Sequence, residues 1–227
     1  MILALDTSTR WISLALADEN SVLAEHTWRT TNNHTAELAP EIERTLRASG
    51  TSTAELRAVA VALGPGSFTG IRIGMGLAKG LALAHKMDLI GVPTLDIIAF
   101  AQPLFDGTLL AVLQVGRGRI AAAQYHIRDT GWEAATTTVI TTWDDLIAGT
   151  DGNNIYVCGE IDEAARSIIS GRVRLAPAAL NVRRAACLAE IAQGCLVDGK
   201  FFDPSTLAPI YLQETPSTPT KDLYDKK

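Results

Sequence analysis

The order of strands and helices is the feature that most constrains this chain, because one arrangement is predicted twice in succession. Apolar periodicity separates alternating strand patterns from helical stripes. In the first half it predicts strand, strand, strand, helix, strand, helix, strand and helix, at residues 1–6, 11–17, 21–28, 34–48, 58–63, 69–85, 89–92 and 94–103. This half therefore contains a β-β-β-α-β-α unit followed by one more strand and helix.

The second half repeats the order without repeating the residues. Strand, strand, strand, helix, strand, helix, strand and helix are predicted at 108–115, 119–128, 132–140, 143–148, 155–158, 162–169, 172–175 and 182–197. Two tandem β-β-β-α-β-α units are typical of the two-lobed α/β fold of actin, Hsp70 and sugar kinases (the ASKHA fold). That analogy concerns the fold and does not establish a function.

Composition and this order suggest how the chain is divided. We expect an N-terminal lobe over residues 1–104, a C-terminal lobe over 105–213, and a flexible polar tail over 214–227. No apolar run approaches the roughly 20 residues of a membrane span, and the first residues lack the basic segment of a signal peptide. Cys158, Cys187 and Cys195 form no CxxC pair. Free thiols in a cytoplasmic protein are therefore expected.

The charge of the chain limits its contact with nucleic acid. The net charge is −5 at pH 7, and tight binding to RNA depends on basic side chains that neutralise phosphates. If this chain takes part in RNA chemistry, a partner should supply most of the positive charge.

Two turns could bind a phosphate. The first joins strands 1–6 and 11–17, and the second joins a strand to a helix N-terminus, where free N–H groups attract anions. The candidate residues are Asp6, Thr7, Ser8, Arg10, Gly64, Gly66 and Ser67. The first turn has no glycine, and the second matches neither standard phosphate-loop spacing. The alternative is that Asp6 and the hydroxyls bond their own turn, and that Ser67 or Thr69 caps the helix.

The helix after the second turn has unusually many glycines. Each interior glycine costs about 1 kcal/mol of helix stability relative to alanine, so some contact should offset that cost. Gly70, Gly74, Ala78 and Ala82 lie on one stripe, with Ile71, Met75 and Leu81 beside it. A small-residue stripe lets a second helix approach closely, and that helix can belong to this chain or to a partner.

Histidines do not predict a metal site. His34 opens a helix, and a metal pair on one helical face would need another histidine at 37 or 38, which is absent. A capping or packing role is expected for His34. The sequence predicts no catalytic residue.

The motifs together resemble a known family. The segment from Gly64 to Gly76, with Leu5-Asp6-Thr7-Ser8, His34-Thr35-x-x-Leu38-x-Pro40, Gly91-Val92-Pro93-Thr94-Leu95 and Pro209-Ile-Tyr-Leu, is similar to the bacterial TsaB (YeaZ) family. The resemblance covers residues 1–213, and its central motif is long and specific. It implies the two-lobed fold inferred above.

The resemblance also implies a function. TsaB proteins serve the synthesis of threonylcarbamoyladenosine (t6A) in tRNA, as a non-catalytic subunit that binds and stabilises the metal-dependent transferase TsaD, with the ATPase TsaE joining the complex. ATP or ADP and the metal belong to those partners, tRNA is met through the complex, and a homodimer can form without TsaD. The implied partner surface comprises His34, Leu38, Ile42, Gly70, Ile71, Gly74, Met75, Ala78, Leu81 and Ala82.

One hairpin departs from the family pattern. Relatives often carry Asp-Ala-Arg-x-x-Glu-Val-Tyr there, whereas this chain has Gln114-Val-Gly-Arg117-Gly-Arg119-Ile-Ala. Arg117 and Arg119 keep the hairpin basic, and whether they touch tRNA stays open. The competing hypotheses for the whole chain are an ATPase or phosphotransferase of the same fold that acts alone, and a metallopeptidase, which would need a bound metal.

Overall fold

The computed structural model describes residues 1–31, 34–116, 118–129, 131–148 and 154–212. Arg117 and the predicted tail at 214–227 lie outside the described residues. The strands are β1 Ile2–Asp6, β2 Trp11–Ala17, β3 Val22–Arg29, β4 Ala58–Ala62, β5 Asp88–Val92, β6 Thr108–Gly116, β7 Arg119–Arg128, β8 Gly131–Ala134, β9 Val139–Thr141, β10 Ile155–Gly159 and β11 Arg174–Leu175. The helices are α1 His34–Ala48, α2 Phe68–His85, α3 Thr94–Phe100, α4 Trp143–Ala148, α5 Glu163–Ile169 and α6 Ala185–Val197.

The first sheet has the strand order β3-β2-β1-β4-β5. Strand β1 pairs antiparallel with β2 and parallel with β4, and helices pack on both faces of β1 and β4. Such strands are continuous apolar runs rather than alternating ones. The sequences ILALD of β1 and AVAVA of β4 meet this requirement, since every residue in them is buried.

Alternate residues of this sheet build two separate cores. Leu3, Leu5 and Leu14 pack on the face covered by α1 and α2. Ala4, Ala15 and their neighbours pack on the other face, against α6. The first face is rich in leucine, whereas alanines make up much of the second.

The second sheet repeats the topology of the first. Its order is β11-β10-β6-β7-β8, with β6 antiparallel to β7 and parallel to β10. Leu110, Val112, Trp143, Val157 and Ile169 contribute to its core beneath α4 and α5. The tandem β-β-β-α-β-α prediction is therefore confirmed by strand order and direction, and the fold class is confirmed with it.

Three predicted elements are shorter in the structure, since α3 ends at Phe100, α6 begins at Ala185 and β11 is limited to Arg174–Leu175. Two further differences are larger. The strand expected at 132–140 is divided into β8 and β9. Tyr125 lies opposite Ala134 whereas Ala122 lies opposite Val139. The register therefore shifts at the residues between β8 and β9, which leave the ladder.

The second difference concerns the division of the chain. Contacts group Met1–Ala101 with Val182–Tyr211 in one unit and place Gln102–Asn181 in the other. The expected C-terminal lobe ran from 105 to 213. Residues 182–211 lie in the first unit instead because α6 covers one face of the first sheet, and the chain after α6 pairs at Leu89 and Leu63 of the same unit.

Candidate functional site

The turn after β1 is organised by a buried ion pair. Nε of Arg183 donates to Oδ2 of Asp6 at 2.8 Å, and the two side chains are 2% and 1% exposed. A second guanidinium nitrogen of Arg183 donates to Oγ1 of Thr9 at 2.5 Å, and the Ser8 N–H donates to Oδ1 of Asp6 at 2.8 Å. The Asp6 carboxylate is therefore held between an arginine and its own turn, out of contact with solvent.

The glycine-rich loop packs directly on this turn. The Ser67 N–H donates to the Ser8 carbonyl at 2.6 Å. A Cβ added to Gly66 would overlap the same carbonyl oxygen, so only glycine permits this approach. The two turns that were predicted to bind phosphate lie side by side. Their backbones are in direct contact, which leaves no gap between Gly66 and Ser8.

Three backbone donors at the loop, those of Gly64, Ser67 and Gly70, have partners within the chain. The Gly64 N–H donates to Oγ1 of Thr94 at 3.0 Å, and the Gly70 N–H donates to Oγ of Ser67 at 3.2 Å. A phosphate site at a helix N-terminus needs N–H groups that point at the anion. These residues therefore do not fit the nucleotide phosphate that the fold class suggests. Of the seven candidates, Arg10 and Ser67 are exposed, Gly66 is half-buried, and the other four are buried.

Ser67 is the N-cap of α2. Its side chain accepts the Gly70 N–H, as the sequence predicted for Ser67 or Thr69. Just inside the helix, a Cβ on Gly70 would overlap the Thr7 carbonyl, and a Cβ on Gly74 would overlap Oγ1 of Thr7. That hydroxyl donates to the Gly70 carbonyl at 2.7 Å. The element that needs these glycines is the first turn of this chain.

This packing corrects the expected partner surface. The small-residue stripe faces inward and is covered by the chain itself, because the sheet and the first turn pack against it. Nine of the ten expected residues are buried, namely His34, Leu38, Ile42, Gly70, Ile71, Gly74, Met75, Ala78 and Ala82. Leu81 is half-buried against the same core.

The opposite side of α2, which we call the outer face, is open. It carries Phe68, Arg72, Gly76, Gly80 and Leu83, all exposed at helical spacing. Phe68 and Leu83 are 54% and 69% exposed, and a Cβ on Gly76 or Gly80 would meet nothing within 4 Å. The fold does not require these two glycines.

An aromatic cluster fixes one end of the outer face. The Arg72 guanidinium lies 3.6 Å from the Phe68 ring centroid, and its Nε donates to the Tyr211 hydroxyl at 2.7 Å. The Ile210 N–H donates to the Leu63 carbonyl at 2.8 Å, which seats this segment beside the glycine loop. The predicted Pro209-Ile-Tyr-Leu motif thus belongs to the same site as the glycine-rich helix.

Helix α1 contributes a polar cluster and a buried histidine. Nε2 of His34 lies 2.9 Å from the Thr9 carbonyl, which confirms the expected packing role. Glu41 contacts Nδ1 of His26 and accepts from Arg44. Burial raises the pKa of Glu41, but the bonds from Arg44 and His26 outweigh burial and hold that pKa below its ordinary value. Glu41 is therefore a charged anchor between α1 and β3.

The hairpin between β6 and β7 contrasts with the first turn. Gly116 and Gly118 have open space where a Cβ would lie. The Gln114 side chain donates to Asp162 at 2.7 Å, and its backbone N–H donates to Glu160 at 3.3 Å. Arg119 is half-buried, and Arg117 lies outside the described residues.

The part of the chain that is described shows no group of three or more potential metal ligands. No helix among the same residues is long and apolar enough to cross a membrane.

All three cysteines are free thiols. Burial raises the pKa of Cys158, so this thiol stays protonated at neutral pH.

Sequence reasoning missed Arg183, which organises the site. It follows the first turn by more than 170 residues, and the only local sign is a pair of arginines just before an apolar helix. Thr94 was part of a recognised motif but had no assigned role; its hydroxyl contacts Ser8 at 3.0 Å and accepts the Gly64 N–H. Neither role follows from local periodicity.

Comparison with known proteins defines the class. The family model described as TsaD: tRNA N6-adenosine threonylcarbamoyltransferase matches residues 22–184, well over half of the chain. Among solved structures, YeaZ from Pseudomonas aeruginosa superposes with a TM-score of 0.77 and 22% identity, covering 92% of this chain and 99% of that one. This structural match shows a shared ASKHA-type fold.

Curated relatives narrow the class to a family. The tRNA threonylcarbamoyladenosine biosynthesis protein TsaB of Escherichia coli is 37% identical over 61% of each chain. TsaB of Bacillus subtilis is 33% identical over 56% of each chain. The matched part thus spans less than two thirds of either relative. The chain belongs to the TsaB (YeaZ) family.

Proposed function

We propose that this chain is a non-catalytic subunit in t6A biosynthesis, which binds and stabilises a TsaD-type transferase through the outer face of α2. The names of its relatives support the pathway. The observation that carries the docking role is the pair Gly76 and Gly80. Each lowers helix stability by about 1 kcal/mol, and neither is required by contacts within the described chain.

The outer face has the shape that a partner helix needs. Glycines in its centre let another backbone approach closely, as small residues do in packed helix pairs. Exposed Phe68 and Leu83 supply apolar area at its two ends, and Arg72 with Tyr211 adds residue types common at interface hot spots. Helix-to-helix contact with the transferase is the proposed mode, and a second copy of the chain can occupy the same face when the transferase is absent.

The filled first turn supports a non-catalytic role. An ATPase or phosphotransferase of this fold would need an accessible acid and free N–H groups. Asp6 is instead paired with buried Arg183, and Ser67 donates to Ser8. We therefore assign nucleotide and metal to TsaD and TsaE, and tRNA chemistry to the cytoplasmic complex rather than to this chain alone.

Calorimetric titration of the chain with the TsaD-type transferase of the same genome tests the docking surface. Leu83→Glu places a charge on the outer face and should weaken binding at least tenfold, about 1.4 kcal/mol or more. Val197→Glu is the matched control, because Val197 is an exposed apolar residue at the end of α6. Equal affinities for the two variants would contradict the proposed surface.

Reconstitution of tRNA modification tests the role itself. Transferase, TsaE, tRNA and the threonylcarbamoyl donor are combined with and without this chain. We expect modification to fall strongly when the chain is left out and to be restored when the native chain is added back. Undiminished modification without the chain would refute an essential subunit role.

A further inference from the structure

A cationic and aromatic patch lies at the open end of the β2–β3 hairpin. It consists of Arg10, Trp11 and Arg29, and we call it the hairpin patch. Trp11 and Arg29 are directly opposite each other in the antiparallel register, so their side chains are neighbours on one face. The Arg10 carbonyl accepts the Thr30 N–H at 2.9 Å, which holds Arg10 beside the end of β3.

The charges of the patch are not neutralised. Arg10 and Arg29 are exposed, and within the described ranges their side chains form no ion pair or hydrogen bond. Nearby acids are engaged elsewhere: Glu25 binds Arg184 at 2.9 Å, and the two oxygens of Glu37 accept from Trp28 and Thr30 at 2.7 and 3.0 Å. The patch therefore presents two free guanidinium groups.

Trp11 adds a surface for stacking. Its side chain is 38% exposed in a chain whose core buries most large apolar residues. Single-stranded nucleic acid is bound by this combination, in which a base stacks on an aromatic ring while neighbouring arginines neutralise phosphates. An acidic peptide would use the two arginines and leave the indole ring without a partner of matching chemistry.

We propose that the hairpin patch contacts an unpaired segment of the tRNA. The inference rests on the proposed function, because membership in a tRNA-modifying complex supplies the RNA. With a net charge of −5, the chain adds an auxiliary contact to an RNA held mainly by its partners. The contact should be weak alone and sensitive to salt.

The test uses the complex of the full chain with the transferase and a labelled tRNA transcript. Arg29→Glu should weaken tRNA binding about tenfold and reduce the salt slope by about 1, as expected when one phosphate contact is lost. Trp11→Leu should weaken it about tenfold through lost stacking. Arg172→Glu makes the same charge change at an exposed arginine of the other unit and should leave the affinity unchanged.

Two results would overturn the proposal. One is a tRNA affinity for Arg29→Glu and Trp11→Leu that equals the Arg172→Glu control. The other is a loss of transferase binding, by calorimetry, with tRNA affinity intact, which would make the patch a protein contact. Photocrosslinking of the isolated chain to tRNA at low salt should label the native chain and not the two variants. The crosslinking experiment needs no transferase. It therefore separates failure of the proposed tRNA contact from failure of the proposed docking to the transferase.

Discussion

Two pairs of glycines in α2 differ in what surrounds them. Gly70 and Gly74 pack against Thr7, whereas Gly76 and Gly80 face open space. Residue type, helix and propensity cost are the same for both pairs. The inner pair is explained by the fold, because a side chain there would displace the first turn. The outer pair has no such explanation, and this difference indicates a surface kept flat for contact with another molecule.

The largest change in the free energy of unfolding is expected from the first turn, on which Gly70 and Gly74 pack. Arg183→Met would leave the Asp6 carboxylate buried without its partner, which typically costs about 3–5 kcal/mol. Urea unfolding at pH 7 measures the loss. Arg184→Met is the neighbouring control, since Arg184 is 56% exposed in its pair with Glu25, and about 0–1 kcal/mol is expected for it. Similar losses for both variants would show that the buried pair does not organise the turn.

Alanine at one member of each pair compares the two environments directly. Gly70→Ala should lower the free energy of unfolding by about 1–3 kcal/mol, because its Cβ overlaps a backbone carbonyl. Gly76→Ala should raise it by about 1 kcal/mol, because the Cβ meets open space and alanine favours the helix. Denaturant unfolding of both variants gives the two signs. Changes of equal sign would remove the distinction between the pairs.

A double-mutant cycle tests the specific contact of the inner pair. Thr7→Ala removes the hydroxyl that a Cβ on Gly74 would overlap. Gly74→Ala should therefore cost less in the Thr7→Ala background, with a coupling of about 1 kcal/mol, within the range for contacting residues. The same cycle with Gly80→Ala should be additive. Additive behaviour at Gly74 would mean that Thr7 does not set its size limit.

The smallest effect on the free energy of unfolding is expected at Glu41 of α1, a half-buried charged anchor away from both glycine pairs. Glu41 has a lowered pKa in the folded chain, so its charge stabilises the fold above the unfolded pKa of about 4.3, and this stabilisation is lost as pH falls through the folded value. Glu41→Gln should destabilise at pH 7 and match the native chain near pH 2. Unfolding at both pH values checks this, with exposed Glu43→Gln as the control. A difference that persists unchanged at acid pH would rule out the ionic origin.

The sequence predicted those features of the fold that depend on residues close together along the chain. Periodicity located the repeated strand and helix order, and cap chemistry placed Ser67 at the start of α2. It could not choose which side of α2 faces inward, because that helix is apolar or small around most of its circumference. Arg183 was missed because its partner, Asp6, is adjacent only after α6 has packed on the first sheet. Long-range pairing of this kind leaves no periodic trace.

The affinity of Gly80→Leu for the TsaD-type transferase tests the central claim most directly. The substitution adds a bulky side chain where the chain itself leaves open space, so the free energy of unfolding should not fall. We expect titration calorimetry to show binding at least tenfold weaker than for the native chain, a change of about 1.4 kcal/mol or more. Native affinity for a folded Gly80→Leu chain would contradict the claim that the outer face of α2 is kept open for a partner.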